Sequence, residues 1–441
     1  MTMNKIAVGL ILLFSFANSS RRDIHVESNF TDRSVLRSYN DRVTHVFQES
    51  MPRFDSRSDL LKKERTKRDH IHEVIFAVQM KNMDELTRML HDISDPDSDN
   101  YGKHLTKDQL HDMISNPVAC MELTSYIIAA GGTVTAESYG GGYLTAEAPI
   151  EVWEEMFNTE FFLFEQTHLN GETREVVRAE HYSIPKEINH HIEAVMNTIE
   201  MPILLHKRAK MKELDVKSFR SRQLLDGRFP DGTIFPNRAR VFYNMTKATG
   251  SSRATQAAYA NGDQYFNPND LEQFQRTVSN QPLQPAIIAA GFATTSHSFD
   301  SMEGNLDIQW LLALSPGSPT SFWHFDSSIG FWCRMLSNLQ DPPLVLSVSY
   351  GSIEDLTSAG EHKVLTTAAI QLGSVGVTML AASGDTGSAE SPKCAYTPAF
   401  PAGNPYFVSV GGTMVSTQHH YLRFLKVDTT SNGQHIISSH T

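Results

Sequence analysis

Cysteine is scarce: the 441 residues hold three, Cys120, Cys333 and Cys394. An odd count cannot pair fully within one chain, which leaves a free thiol, an intermolecular bridge or a missing partner. Long apolar runs are lacking as well, and no stretch reaches the roughly 18 consecutive apolar residues of a membrane span. Positive charge is outnumbered, with 38 Lys and Arg against 50 Asp and Glu, so a net charge of −12 offers no basic footprint for nucleic acid. Nor does the chain carry an HExxH pair, a glycine-rich phosphate loop at a strand-to-helix turn or the lysine of a P-loop. Zinc hydrolysis and nucleotide binding therefore lose their usual sequence support.

Against these absences stands an ordinary globular composition, 40% hydrophobic and 20% charged, in a chain long enough for two or three domains. Protonating all 19 histidines would outweigh the net −12 and turn the chain cationic, which is compatible with work in an acidic compartment. Lys5, the apolar run Ile6 to Phe16 and the small-residue triplet Ala17-Asn18-Ser19 have the three zones of a secretory signal peptide over residues 1–19. That places the chain in the secretory pathway, lysosomal or extracellular, where the sequons at Asn29 and Asn244 become usable for glycosylation.

Residues 20–68 are polar and end in the basic cluster Lys62-Lys63-Glu64-Arg65-Thr66-Lys67-Arg68, which reads as a flexible extension. Residues 69–204 then alternate elements. A strand over Glu73 to Met80 leads to a helix capped by Asn82, a helix capped by Thr106 and another over Glu122 to Ala130. Strands over Thr133 to Glu137 and Tyr143 to Ala148 flank Gly140-Gly141-Gly142. A helix over Ile150 to Phe157, strands over Phe161 to Gln166 and Val176 to Tyr182, and a last helix from Pro185 toward Asn197 complete the set. Such an order suits an α+β, ferredoxin-like split βαβ unit. Its pair His190-His191, placed on a helix, sends two side chains in diverging directions, as a solvated face does rather than a metal site. Residues 205–235, basic and then rich in Gly and Pro, form a linker that a protease could reach.

From 236 to 441 strands alternate with helices, the pattern of a parallel sheet covered on both sides. The strands read as Ala286 to Ala290, Thr320 to Phe325 and Leu344 to Tyr350, the helices as Met302 to Leu314, Ile329 to Leu339 and Ser358 to Leu372. The small-apolar run Val377 to Ala382 reads as a strand buried on both faces, ended by Ser383-Gly384-Asp385. That turn puts a carboxylate on the edge where parallel sheets carry their ligands, although Asp385 could equally serve to fix its own turn. On the helix at Met302, Glu303 and Asp307 lie four residues apart, one above the other. A partly buried pair of carboxylates so placed splits its titration, the property that acid–base catalysis at low pH uses; a solvated helix face is the alternative.

Together, Glu303-x-x-x-Asp307, the SGDTG turn at Asp385 and the run FPAGNPYFVSVGGT from Phe400 resemble the sedolisin family of serine-carboxyl peptidases, peptidase family S53. The resemblance runs in order through residues 70 to 415, with the first half similar to that family's activation prosegment and Asn237 to Thr246 similar to the start of its mature enzyme. It implies an α/β, subtilisin-like parallel sheet, here incomplete, in which Glu303 takes the proton from a serine nucleophile. Asp307 would orient Glu303, and Asp385, protonated in acid, would donate to the oxyanion. Ser349-Tyr350-Gly351 would line a cleft for peptides or unfolded proteins. A carboxylic acid donates to an oxyanion only while protonated, so an acidic working pH follows from that assignment. The family's Ser-Gly-Thr-Ser nucleophile motif and the calcium loop after it do not occur in the 441 residues. The resemblance also assigns Cys394 a partner in that missing part. Two functions are expected from this: a zymogen of an acid serine peptidase, tripeptidyl-peptidase-like or an endopeptidase, truncated here and inactive as written; or a non-catalytic homologue that binds peptides or inhibits a full-length relative.

Overall fold

In chain order the first half contains β1 (His45–Ser50), β2 (Leu60–Arg65), β3 (Ile71–Val78), α1 (Met83–Ser94), α2 (Lys107–Ile114), α3 (Pro117–Ala129), β4 (Thr133–Glu137), β5 (Tyr143–Pro149), α4 (Ile150–Phe157), β6 (Phe161–Thr167), β7 (Thr173–Ala179), β8 (His181–Pro185) and β9 (Ile192–Met196). The computed structural model describes residues 44–202 apart from 53–56, 139 and 168–172, and residues 235–412 apart from 263, 280–281, 291–301, 326–331, 334–335, 338 and 385–397. It also describes strand segments at 414–415, 422–423, 426–429 and 435–438. The signal-peptide stretch 1–19, Asn29, linker residues 205–234, Asp385 and Cys394 lie outside the described residues.

β3 is the strand around which the first half is built, since Val74 to Val78 are all buried. It pairs antiparallel with β5 on one side and β9 on the other, giving the order β4-β5-β3-β9. One face of this sheet meets α3 and α4. There Phe76, Leu123, Ile127, Trp153 and Phe157 share a core, with the Trp153 and Phe157 rings stacked 5.7 Å apart. Burying a side chain of that size contributes about 2–3 kcal/mol, and the Trp153 indole N–H keeps a partner in the His72 carbonyl at 2.8 Å. α1 turns Leu86, Leu90 and Ile93 onto Leu110 and Ile114 of α2. The Thr106 cap of α2 forms as expected, a reciprocal box with Gln109. Asn82 does not cap α1 with its side chain. It takes a left-handed backbone (φ 52°) and donates from its amide to the Met113 carbonyl at 2.7 Å.

The structure corrects further sequence expectations in this half. Part of the expected flexible extension is structured: β1 pairs with β8, and β2 with β6. The basic cluster at its end faces acidic partners, Lys62 with Glu180 at 2.8 Å and Arg65 with Glu154 and Glu160 at 2.8 Å each. The helix expected from Pro185 to Asn197 is instead one turn, Asn189–His191, running straight into β9, whose β-branched and small residues fill the sheet edge beside β3.

The second half contributes α5 (Pro236–Phe242), β10 (Gln256–Ala260), α6 (Pro268–Phe274), β11 (Ile287–Ala290), α7 (Met302–Leu314), β12 (Thr320–His324), β13 (Val345–Val348), β14 (Ser352–Ile353), α8 (Ala359–Ser374), β15 (Thr378–Ala382), β16 (Ala399–Phe400) and β17 (Val408–Val410). Six of its strands form one sheet in the order β11-β12-β10-β13-β15-β17, every pair parallel. Within the expected helix 329–339, the described residues Trp332, Cys333, Leu336 and Ser337 are helical. β10, which the sequence pattern does not single out, is the inner strand between β12 and β13 and is buried along its whole length. β15 is not buried on both faces: Met379 and Ala381 are buried, whereas Thr378 and Ala382 are exposed. An unbroken apolar run does not reveal which of its faces finds a cover.

α8 joins the halves. Leu365, Ala368, Ala369 and Leu372 belong to the core of the parallel sheet, while Val364 packs on Ile75, Ala77, Ala194 and Met196 of the first half and Ile370 joins the α1–α2 core. Polar contacts stitch the same seam: the Gly360 amide donates to Glu49 at 3.0 Å, the Leu105 amide donates to the Ser374 carbonyl at 2.9 Å, and Thr367 donates to Glu193. Among the described residues no helix is long and apolar enough to cross a membrane.

Candidate active site

The C-terminal ends of β10, β12, β13 and β15 deliver Asn261, His324, Ser349 and Ser383-Gly384 to one edge of the parallel sheet. That edge is where open α/β sheets place their chemistry. α7 brings two carboxylates to it. Glu303 sits in the first turn and is 7% exposed; Asp307, one turn later, is half-buried.

The start of α7 is clamped by the loop after β10. The Glu303 amide donates to the Gln264 side chain at 3.1 Å, and Asn305 accepts from the Asn267 amide at 2.9 Å. Gly304 permits the closest approach, because a Cβ there would lie 2.4 Å from the Tyr265 carbonyl oxygen. A helix held this way fixes where the Glu303 and Asp307 side chains leave the backbone.

Asp307 and Ser349 come together: the Ser349 hydroxyl donates to Asp307 Oδ1 at 2.9 Å. Tyr350 is buried, its ring edge-on to Tyr259 at 5.8 Å, within the core of the sheet. Gly351 leads into β14, and the pairing of Ser352 with Phe400 brings the FPAGNP run beside it. Asp385 lies outside the described residues, but the strand before it does not. Val348 and Ala381 pair, so the Ser349 and Ser383-Gly384 turns leave the sheet side by side. Ser383 is anchored by its amide to the Val410 carbonyl at 3.0 Å, and Gly384 has φ 94°. Asn244 is exposed at the end of α5.

Two polar groups at this edge are not singled out by the sequence pattern. The Asn261 amide donates to the Tyr259 hydroxyl and the Phe325 carbonyl, both at 2.8 Å. His324 Nε2 lies 2.6 Å from the Gly262 carbonyl oxygen, and its ring stacks on Tyr265 at 4.3 Å. The available signal was the short apolar run Ala257 to Ala260 ending in Asn261-Gly262, a strand followed by a turn dipeptide.

Among the described residues the cluster able to hold a cation is Glu122, His190 and His191 in the first half. Two imidazoles and one carboxylate do not fit calcium, which takes oxygen ligands. His190 and His191 do not diverge as on an α-helix: their ring centroids are 3.8 Å apart, because the turn that carries them ends at His191 and the chain becomes extended.

The family model described as the pro-kumamolisin activation domain matches residues 58–201. Tripeptidyl-peptidase 1 of Pan troglodytes is 28% identical over 355 residues, which cover 77% of this chain and 61% of that protein. Physarolisin of Physarum polycephalum is 27% identical over 385 residues, covering 82% of this chain and 63% of that one. Residues 58–201 thus match an activation domain, and the chain is similar over about four fifths of its length to tripeptidyl-peptidase 1 and physarolisin. The chain spans about three fifths of the length of the curated relatives it matches. Among solved structures, Pseudomonas sedolisin, a serine-carboxyl proteinase, is 22% identical, with a TM-score of 0.34 over 47% of this chain and 58% of that one. The activation-domain match begins at residue 58, inside the stretch whose composition reads as flexible and just before β2.

Proposed function

We propose that the chain comprises the activation prosegment and the acid–base part of a serine-carboxyl peptidase, made as a zymogen for the secretory pathway and acting on peptides or unfolded proteins in an acidic lysosomal or extracellular setting. In this reading the first half is a ferredoxin-like prosegment, the parallel sheet is subtilisin-like, and residues 205–235 are the cleavable connection. The observation that carries it is the Ser349–Asp307 hydrogen bond beside the buried Glu303, at the C-terminal edge of a parallel sheet. Ser349 holds Asp307, Asp307 positions Glu303 one turn away, and Glu303 is the base that would take a proton from a serine hydroxyl.

Asp385 completes the proposal as the oxyanion donor; the residues that precede it, Ser383-Gly384, follow β15, which pairs with β13. The Ser349 to Gly351 segment supplies the wall of the substrate cleft, and Asn29 and Asn244 carry glycans. No Ser-Gly-Thr-Ser occurs in the 441 residues, so by themselves they are expected to retain at most residual turnover of peptides.

The experiment is to sequence the transcript beyond the Thr441 codon, express the longest product and assay peptide hydrolysis at pH 4. An in-frame Ser-Gly-Thr-Ser, with activity lost in Glu303→Gln, is the expected result. Full activity in Glu303→Gln would overturn the assignment. An immediate stop would leave the second reading, a binding or inhibitory homologue. That reading draws on the packing of the prosegment against α8, a surface that a relative's α8 could also fill.

A further inference from the structure

We infer that Glu122, His190 and His191 form a binding site for a divalent transition-metal cation of the zinc class, on the outer side of the first half. One ligand atom from each residue lies within 4.8 Å of the others. His191 Nε2 is 2.6 Å from Glu122 Oε2, and the two imidazole rings are in contact.

The fold builds this cluster from two elements. Glu122 stands on the second turn of α3, whose start is set by the Asn116 cap and Pro117. The histidines end the Asn189–His191 turn, and the backbone there is fixed on both sides. The His191 carbonyl accepts from the Gln79 amide at 2.8 Å, the His191 amide donates to the Ile188 carbonyl at 3.0 Å, and Asn189 accepts from Gln48 at 2.6 Å. His191 is buried whereas Glu122 and His190 are exposed, so one ligand is anchored in the protein and two stand at the rim. A cation enters from solvent without opening the core.

The donor set selects the ion. Two imidazole nitrogens and a carboxylate suit zinc and its neighbours, whereas magnesium and calcium take all-oxygen sites. Around a tetrahedral zinc, with bonds of about 2.0–2.1 Å, ligand atoms stand roughly 3.3 Å apart. The hydrogen-bonded Glu122–His191 contact has to open by less than an ångström, and the exposed pair has to close. Both movements fall on Glu122 and His190, the two with room to move. Water fills the fourth position.

Such an ion would tie α3 to the turn before β9, the strand that packs on α8. The test is calorimetric titration of the 441-residue protein with zinc chloride at pH 7.5, alongside Glu122→Gln, His190→Ala and, as a control away from the cluster, His70→Ala. All three replaced side chains are exposed, and circular dichroism checks their folding. One saturable equivalent is expected in the parent and in His70→Ala, with affinity weakened roughly tenfold or more in each of the other two. Zinc should raise the thermal midpoint of the parent, and calcium should not. No saturable binding by the parent, or equal affinity in Glu122→Gln and His190→Ala, would overturn the site and leave Glu122–His191 as a hydrogen-bonded pair.

Discussion

The Ser349 hydroxyl and the Asp307 carboxylate meet at 2.9 Å, joining the end of β13 to the middle of α7. If this bond positions an acid–base pair, its loss should be felt in catalysis before stability. In a form of the protein that carries a nucleophile, Glu303→Gln and Asp307→Asn should each lower kcat by about 10²–10⁴. Ser349→Ala should cost on the order of tenfold, with Tm changed by only a few degrees. Single-turnover acylation rates alongside thermal melts check this; equal losses of rate and stability would make the bond merely structural.

Asp385→Asn should act differently. An amide donates a hydrogen bond without first being protonated, so part of the oxyanion stabilisation survives while its dependence on acid is lost. The alkaline limb of the kcat profile should flatten in this variant; an unchanged limb would reject Asp385 as the protonated oxyanion donor.

Two buried groups of the first half oppose each other in pH. Burial pushes the Glu200 carboxyl up to about 7, against the pull of the Arg178 guanidinium. Because its folded value lies above its unfolded one, Glu200 contributes stability that is complete below about pH 4.5 and lost as pH rises toward 7. Burial holds His72 down to about 4, so its contribution is complete above about pH 6.5 and is lost as pH falls toward 4. Each term is on the order of 3 kcal/mol across its window. Glu200→Gln should therefore flatten the neutral side of the stability curve, and His72→Gln the acid side, in urea titrations from pH 3.5 to 8. A parental curve shape in either variant would reject the corresponding contribution.

Residues 44–202 should fold alone. The core built on Phe76, Leu123, Trp153 and Phe157 draws every member from that stretch, so a cooperative melt is expected in isolation. Its midpoint should lie below that of the same segment in the full chain, because Ile75, Ala77, Ala194 and Met196 lose Val364. A broad, non-cooperative transition would show that the segment needs the second half to fold.

Gly360 is predicted to be intolerant of side chains. A Cβ there would lie 2.5 Å from Glu49 Oε1 and 3.1 Å from the Ala194 Cβ. Gly360→Ala should destabilise the full chain by about 1–3 kcal/mol, and Gly360→Val by more, in urea unfolding. A neutral Gly360→Val would mean that the seam relaxes freely.

What the sequence pattern reveals follows from how much each element depends on its neighbours. α7 is recovered with its observed limits and α8 to within two residues, since each helix carries its own periodicity and α8 its own Ser358 cap. β3 is legible from its own short strand pattern, which holds Val74, Ile75, Phe76 and Val78. β10 is not, although it is an inner strand of the parallel sheet: Gln256-Ala-Ala-Tyr-Ala is short and small, and only the strands on either side make it core. At the site, the four-residue spacing of Glu303 and Asp307 is a property of any helix and can be read directly. The Ser349 partner joins positions far apart in sequence, so no local pattern contains it. The His190–His191 contact is missed for a related reason, since it requires a turn to stop at His191.

α8 has two dry sides, one against the parallel sheet and one against the first half. Cutting the backbone between the halves is consequently a different event from parting them. A nick leaves Val364, Ile370 and their apolar partners in place, and the two pieces persist as a non-covalent complex whose lifetime is set by dissociation rather than by the cut. Parting them wets both surfaces at once, so each freed half becomes adhesive toward its former partner, toward copies of itself and toward any other chain able to dry that stripe.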